Sequence, residues 1–149
     1  MHMRLNFWLC LSLLLGTCFV LVGAESQPTI FYIQLIQGTE KNTPPEPKAK
    51  LVGPKMSEKL ARFRWKYYWE INQQDVKVVP GKTTKLGLKV RDLEIDLQPK
   101  EQLELRLYQK GKLVRTSRQK LQADSFEIMG GAREDDNAWF VVVRRDKPQ

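Results

Sequence analysis

The chain has 149 residues, of which 42% are hydrophobic and 28% charged, and its formal net charge is +8. Its two cysteines and its one histidine, Cys10, Cys18 and His2, all lie near the N-terminus. The rest of the chain therefore has no disulfide, no thiolate nucleophile, no imidazole base and no zinc site of the usual Cys/His kind.

The first 24 residues have the three parts of a secretory signal peptide. Arg4 precedes an apolar run over residues 5–22, and small residues up to Ala24 precede a polar segment. We therefore expect cleavage after Ala24, which leaves residues 25–149 as a single domain large enough for a hydrophobic core. Because the apolar run has 18 residues, an uncleaved N-terminal anchor is the alternative.

The composition of the predicted mature chain also bears on its compartment. It has no cysteine, and none of its asparagines lies in an N-glycosylation sequon. These properties fit the bacterial envelope better than an animal extracellular space. We therefore predict a secreted or periplasmic protein with no membrane span in its mature form.

The positive charge is unevenly distributed along the predicted mature chain. Residues 25–91 have 13 bases and 6 acids, whereas residues 92–149 have 11 of each. A clustered excess of this kind favours anionic partners through long-range attraction. The alternative is that exposed bases only keep the protein soluble and block unwanted pairing of strand edges.

The first elements after the signal are a predicted strand and a predicted loop. Residues 29–37 (TIFYIQLIQ) form a short apolar run rich in β-branched and aromatic side chains, which indicates a buried strand. Residues 38–56 are rich in proline and predict a long loop with a stiff, extended centre. A short helical turn is expected over residues 57–60.

The stretch over residues 62–70, RFRWKYYWE, alternates bases with aromatic side chains. Period two predicts a strand whose aromatic side chains at odd positions face the core. The opposite face then carries Arg62, Arg64, Lys66 and Tyr68.

Further strands are predicted at regular intervals over residues 75–79, 83–90, 93–97, 103–107, 113–116, 125–129 and 139–145. Turns are expected at Pro80-Gly81 and Lys110-Gly111, a break at Pro99, and a loop over residues 130–137. The alternating apolar residues lie at even positions before Arg91-Asp92 and at odd positions after it. This change predicts a bulge or tight corner there. Eight or nine short strands with no long amphipathic helix indicate an all-β protein, an antiparallel β-sandwich of broadly immunoglobulin-like shape without a disulfide.

The basic side chains suggest one candidate binding site. Guanidinium and ammonium groups beside an aromatic ring fit phosphate or uronate groups. The alternative is an ordinary charged strand face exposed to solvent. The predicted site for an anionic partner comprises Arg62, Arg64, Lys66, Tyr68, Lys85 and Lys89, with Lys77, Lys82 and Arg91 as helpers.

Two groups of acidic residues are candidates for a catalytic or metal-binding site. Glu94 and Asp96 lie on one strand face at a spacing that resembles a glycosidase pair. We expect them instead to form cross-strand ion pairs with bases such as Lys85 or Arg106. Residues 134–137 (EDDN) carry oxygen ligands suited to Ca²⁺, but they lack the spacing of a calcium loop, so we predict a polar loop and no metal site.

These observations favour a non-catalytic exported β-sandwich that acts by binding another cell-envelope protein or assembly. The alternative is a module that binds an acidic glycan or another anionic surface polymer through the basic strand face. A hydrolase that uses carboxylates alone is a third possibility. No cofactor and no nucleic-acid partner are expected. The chain has neither a P-loop nor a G-x-G-x-x-G motif.

Overall fold

The computed structural model of the protein describes residues 26–89 and 91–148. The predicted signal peptide, or alternative anchor, lies outside the described residues. In these residues nine strands form two antiparallel sheets that pack face to face, which confirms the predicted β-sandwich. None of the helices in the described part of the chain is long and apolar enough to cross a membrane.

The five-stranded sheet contains the first and the last strand of the described chain. Its strand order is β2-β3-β1-β9-β8. The strands are β1 (Thr29–Thr39), β2 (Lys50–Leu51), β3 (Tyr67–Val78), β8 (Phe126–Glu134) and β9 (Asn137–Arg144).

The four-stranded sheet is a meander of consecutive strands joined by short turns. Its order is β4-β5-β6-β7, so β4 and β7 are its two edges. The strands are β4 (Thr83–Leu88), β5 (Arg91–Gln98), β6 (Gln102–Gln109) and β7 (Lys112–Lys120).

The main core lies between the two sheets and follows from the period-two pattern. Leucines and isoleucines at alternate positions of β5 and β6 face each other across the ladder and are buried. Alternate apolar side chains of β1 and the end of β3 pack against them from the five-stranded sheet. This alternation buries one face of each sheet and leaves charged side chains on the other face of the four-stranded sheet.

A second core lies on the outer face of the five-stranded sheet. Helix α1 (Pro54–Leu60) and a 3₁₀ turn (Ala61–Phe63) cover this face. Met56 and Leu60 are buried there against Phe140 and its neighbours on β9. The sandwich is therefore covered by a helical layer on one side.

The predicted loop over residues 38–56 is more structured than expected. Its first two residues belong to β1, and Lys50–Leu51 form β2 against β3. Pro54 begins α1, where its missing N–H would have no intrahelical acceptor in any case. The predicted helical turn over residues 57–60 is confirmed, but the helix begins three residues earlier.

The predicted turns occur where glycine and proline indicated them. Pro80 and Gly81 turn the chain from β3 into β4, and β5 ends at Gln98 before Pro99. Lys110 and Gly111 both have positive φ, 50° and 74°, as a two-residue hairpin turn requires.

The β4–β5 hairpin explains why the apolar residues change from even to odd positions. Leu88 pairs with Arg91 at the end of the β4–β5 ladder, and Lys89 has a φ of 52°. The tight corner is confirmed, but it lies just before Arg91-Asp92. The prediction that Val90 ends the strand falls on a residue outside those described.

Two predicted boundaries are wrong because strands continue through polar or glycine-rich stretches. The expected strand over residues 75–79 is the end of the longer β3. β8 continues to Glu134 through Gly130 and Gly131, whose φ angles of 103° and 91° accommodate a break in register. The predicted loop over residues 130–137 therefore shrinks to the turn at Asp135 and Asp136.

Candidate functional site

The predicted basic strand face over residues 62–68 does not exist in the structure. β3 begins only at Tyr67, and Arg62 lies in the 3₁₀ turn. Arg64 ends that turn with a φ of 62°, so the chain changes direction before the strand starts. Arg62, Arg64 and Lys66 are exposed, but they do not form one face of a strand.

Tyr68 is buried and is not part of an exposed surface. Its side chain is 5% exposed, and its ring contacts Phe140 edge-on at a centroid distance of 5.9 Å. The hydroxyl donates a hydrogen bond to the Leu60 carbonyl at 2.7 Å and accepts one from the Trp65 N–H at 3.2 Å. Burial raises the pKa of the hydroxyl above its usual value. Tyr68 joins the helical layer to β3. The prediction that it lies on an exposed face beside the bases is therefore wrong.

The other predicted site residues lie on a different part of the molecule. Lys85 projects from the outer face of the four-stranded sheet and pairs with Glu94 at 2.9 Å. Lys89, in the β4–β5 turn, contacts the Glu46 carboxylate in the long loop. The structure therefore does not bring the six predicted residues into one site.

Of the predicted helpers, Arg91 faces the end of the core. It is 7% exposed and pairs with Glu134 at 2.6 Å. Lys77 and Lys82 are exposed, and neither pairs with an acid among the described residues. Arg91 thus ties the β4–β5 hairpin to the end of β8 and is not displayed on the surface.

The expected pairing of the strand carboxylates is confirmed. Glu94 accepts hydrogen bonds from Arg106 Nε at 2.9 Å and Tyr108 Oη at 3.0 Å, in addition to its contact with Lys85. The Lys85 contact first, then Arg106 and Tyr108, lower the pKa of Glu94 to about 2. Asp96 lies 3.7 Å from the same guanidinium. A glycosidase acid needs a raised pKa, so this pair is arranged for a salt-bridged sheet surface.

The acidic segment at residues 134–137 also has a structural role. Glu134 accepts hydrogen bonds from Arg91 and from Gln109, the latter at 3.2 Å. Within residues 26–89 and 91–148, no three His, Cys, Asp or Glu side chains are grouped so as to hold a metal ion.

A basic edge strand, β7, is the feature that the sequence analysis missed. Residues 110–120 (KGKLVRTSRQK) contain five bases and no acid. Among these bases only Arg118 pairs with an acid of the described chain, Glu104 at 2.6 Å. β7 bonds to β6 alone among the described strands, so its other edge presents unpaired backbone groups.

The same edge exposes two adjacent aliphatic side chains. Leu113 and Val114 are 54% and 51% exposed. A break in register between Leu107 and Tyr108 places one extra residue on β7 at this point, so neighbouring side chains both reach solvent. We define the basic edge as residues 110–120, with Leu113 and Val114 at its apolar centre.

A residue-by-residue charge count would have found the run of bases over residues 110–120, although not its place at the edge of a sheet. Summing charge over half of the chain hid it, because the acids of β5, β6 and the C-terminal strands cancel the bases of β7 in the total. Glu94, Asp96 and Glu104 form ion pairs on the sheet surface, whereas four of the five bases in residues 110–120 pair with no acid of the described chain.

Comparison with known proteins gives no relative for this chain: no family model, no curated protein and no solved structure matches it. Its function must therefore be argued from its own residues.

Proposed function

We propose that this chain is an exported, non-catalytic protein, a β-sandwich of broadly immunoglobulin-like shape, that acts by binding another cell-envelope protein. The observation that carries the proposal is the open basic edge over residues 110–120. The occupant is an extended acidic segment of the partner, which adds to β7 as a further strand. This mode of binding uses the main chain for affinity and alternate side chains for specificity.

The edge has the features that such binding requires. β7 has nine residues, and no other strand of the described chain pairs with it on the side away from β6. Natural edge strands are blocked by proline, by charged side chains, by bulges, by a covering layer or by being very short. β7 contains no proline, and its bases repel a basic strand but attract an acidic one. Leu113 and Val114 offer apolar contact at its centre. An incoming strand would therefore gain backbone hydrogen bonds and bury two exposed aliphatic side chains.

The positive charge of the basic edge determines which kind of partner strand it favours. Lys110, Lys112, Arg115 and Lys120 pair with no acid of the described chain. Opposite charges on facing strands stabilise the pairing, and like charges directly opposite destabilise it. Two copies of β7 would place bases against bases, so the edge favours an acidic partner over a second copy of this chain.

A second candidate function is binding of an acidic glycan or another anionic polymer. Arg64 and Lys66 favour it, because both are exposed and neither pairs with an acid of the described chain. An anionic polymer would be held by the positive charges alone and not by hydrogen bonds to the strand edge. Its affinity should therefore fall steeply as the salt concentration rises.

The test uses the full chain and a labelled synthetic peptide of alternating Glu and Val, with fluorescence anisotropy as the readout. A second peptide with the same charge but with proline at every third position cannot add as a strand. Polyglucuronate serves as the polymer probe. We expect the first peptide to bind at least tenfold more tightly than the other two probes.

Charge variants show whether β7 is the site. The double variant Lys112→Glu/Arg115→Glu should weaken peptide binding at least tenfold. The control Lys77→Glu/Lys82→Glu makes the same change in net charge at exposed bases on other elements, and it should have little effect. Equal loss in both variants, or equal binding of the proline-containing peptide, would favour the polymer candidate. The proposal is overturned if the alternating peptide does not bind.

A further inference from the structure

A group of arginine and aromatic side chains lies on the outer face of the five-stranded sheet, beside the helical layer. Phe63 and Trp65 pack there against the second core, which contains Phe140. A cavity of about 280 Å³ opens beside the two rings, close to the smallest volumes of small-molecule sites. The residues that line it are Glu40, Phe63, Arg64, Trp65, Gly131 and Arg133.

Two strand glycines allow the aromatic rings to lie directly on the sheet. A Cβ added at Gly38 would lie 2.7 Å from the Trp65 ring, and one added at Gly131 would lie 3.1 Å from the Phe63 ring and 2.9 Å from the Phe140 ring. Glycine weakens a strand, and it often marks a place where another group approaches the backbone closely. The rings are therefore seated on the backbone itself, which fixes the floor of the cavity.

Arg133 is held over one of these rings. Its guanidinium carbon lies 4.7 Å from the centroid of the Trp65 ring, while the side chain as a whole is exposed. A guanidinium has five N–H donors, so one that lies over a ring can still bind an anionic oxygen. Arg133 pairs with no acid of the described chain. The ring thus orients an accessible cation that has no counter-ion in this part of the protein.

Arg64 brings a second guanidinium to the same cavity. It ends the 3₁₀ turn with a φ of 62°, and its backbone N–H donates to the Ala61 carbonyl at 3.0 Å. A left-handed backbone is uncommon for a residue other than glycine, and such residues are concentrated at functional sites. The side chain is exposed. Glu40 lines the cavity too, yet it forms no ion pair with Arg64 or Arg133 among the described residues.

The chemistry of these groups favours one class of ligand. Two guanidiniums beside one carboxylate leave an excess of positive charge, which an anion between the guanidiniums would stabilise. A phosphate monoester carries nearly two negative charges at neutral pH and has three acceptor oxygens, so it can bind both guanidiniums at once. A carboxylate has one charge and two oxygens, which a single guanidinium can satisfy. Glu40 would repel a second anionic group, but it can accept a hydrogen bond from a hydroxyl.

We propose that this cavity binds a small sugar phosphate. Its phosphate lies between Arg64 and Arg133, and one of its hydroxyls donates to Glu40. Phe63 and Trp65 provide apolar contact for the carbon atoms of the sugar. This site is separate from the basic edge and does not depend on the function proposed for it.

The first experiment is isothermal titration of the full chain with glucose 6-phosphate. Glucose lacks the phosphate, glucuronate carries a carboxylate instead, and inorganic phosphate lacks the hydroxyls and carbon atoms of the sugar. We expect glucose 6-phosphate to bind at least tenfold more tightly than each of the other three. No detectable heat and no shift in Tm with millimolar glucose 6-phosphate would overturn the proposal. Equal affinity for glucuronate or for inorganic phosphate would overturn it as well.

Two variants test the two guanidiniums. Arg64→Gly removes one of them and places glycine where φ is positive, so affinity for glucose 6-phosphate should fall at least tenfold without a fall in Tm. Arg133→Gln should also weaken binding at least tenfold. If Arg133→Gln does not fold, Arg64→Gly decides alone.

Two controls make the same change in charge elsewhere. Lys100→Gly also replaces an exposed base of positive φ, 64°, but in the connection between β5 and β6. Arg62→Gln changes a base that lies over the Phe63 ring at 4.8 Å and does not line the cavity. Each control should change the affinity by less than twofold. An equal loss of affinity in Arg64→Gly and Lys100→Gly would refute the site, because binding would then depend only on net charge.

Discussion

Replacement of Tyr68 by phenylalanine tests how the helical layer is held on the sheet. The change removes only the hydroxyl, which donates to the Leu60 carbonyl at 2.7 Å and accepts from the Trp65 N–H at 3.2 Å. The ring stays in contact with Phe140. The effect of the variant therefore reports the two hydrogen bonds and not the packing.

The expected loss of stability follows from the burial of this hydroxyl. A net hydrogen bond contributes about 1 kcal/mol, and a buried group left without a partner costs about 1–3 kcal/mol. The Leu60 bond is short and buried, whereas the Trp65 bond is longer and only partly buried. We therefore expect Tyr68→Phe to lower the free energy of unfolding by ~2 kcal/mol. For a domain of this size, that corresponds to a fall in Tm of roughly 6–10 °C.

The neighbouring tyrosine provides a matched control. Tyr67 is half-buried, and its hydroxyl forms no hydrogen bond with a described residue. Tyr67→Phe should therefore change the free energy of unfolding by less than about 0.5 kcal/mol. Urea denaturation of both variants, followed by tryptophan fluorescence, gives the two values. Equal stability of the two variants would refute the role assigned to the Tyr68 hydroxyl.

Two further predictions concern packing and pH. Gly38→Ala places a Cβ 2.7 Å from the Trp65 ring, so we expect a loss of about 1–3 kcal/mol in urea denaturation. Lowering the pH from about 4.5 to about 2 should remove the stability contributed by Glu94, because Lys85 first and then other donors hold its folded pKa at about 2, below its usual value of 4.5. Glu94→Gln should make stability less dependent on pH across that interval.

Each of these predictions has an internal control. Gly53→Ala introduces a Cβ with no atom within 4 Å, so it should cost only the roughly 0.5–1 kcal/mol by which alanine is less favourable than glycine at a helix N-cap. Glu101→Gln removes an exposed carboxylate that forms no ion pair with a described residue. It should leave the slope of stability against pH as in the unmodified protein. A Gly53→Ala loss equal to that of Gly38→Ala would contradict the packing argument.

The strands of the four-stranded sheet could be predicted from the sequence because the information is local. The leucines of β5 and β6 alternate with charged residues, and Lys110-Gly111 and Pro99 mark the strand ends. A strand with one buried face must show period two whatever the rest of the fold does. The cross-strand pairing of Glu94 followed from the same alternation.

The outer face of the five-stranded sheet could not be predicted in this way. Period two divides a strand into two faces, but it does not show whether a second layer covers the polar one. α1 covers this face through contacts such as Leu60 with Tyr68, and the alternating bases and aromatics before β3 lie in a 3₁₀ turn and the irregular segment that follows it. Local alternation therefore suggested an exposed basic strand where tertiary packing placed a buried tyrosine.

The candidate sites likewise separate into what the sequence determined and what only the structure decided. The sequence determined that residues beyond the first 24 have no thiol and no imidazole, and that residues 110–120 carry five bases without an acid. Only the tertiary structure decided that β7 is an edge, because strand order depends on which hairpins pack together. It alone decided that Arg64 and Arg133 line one cavity, because the 3₁₀ turn reaches β8 only when the helical layer packs on the sheet.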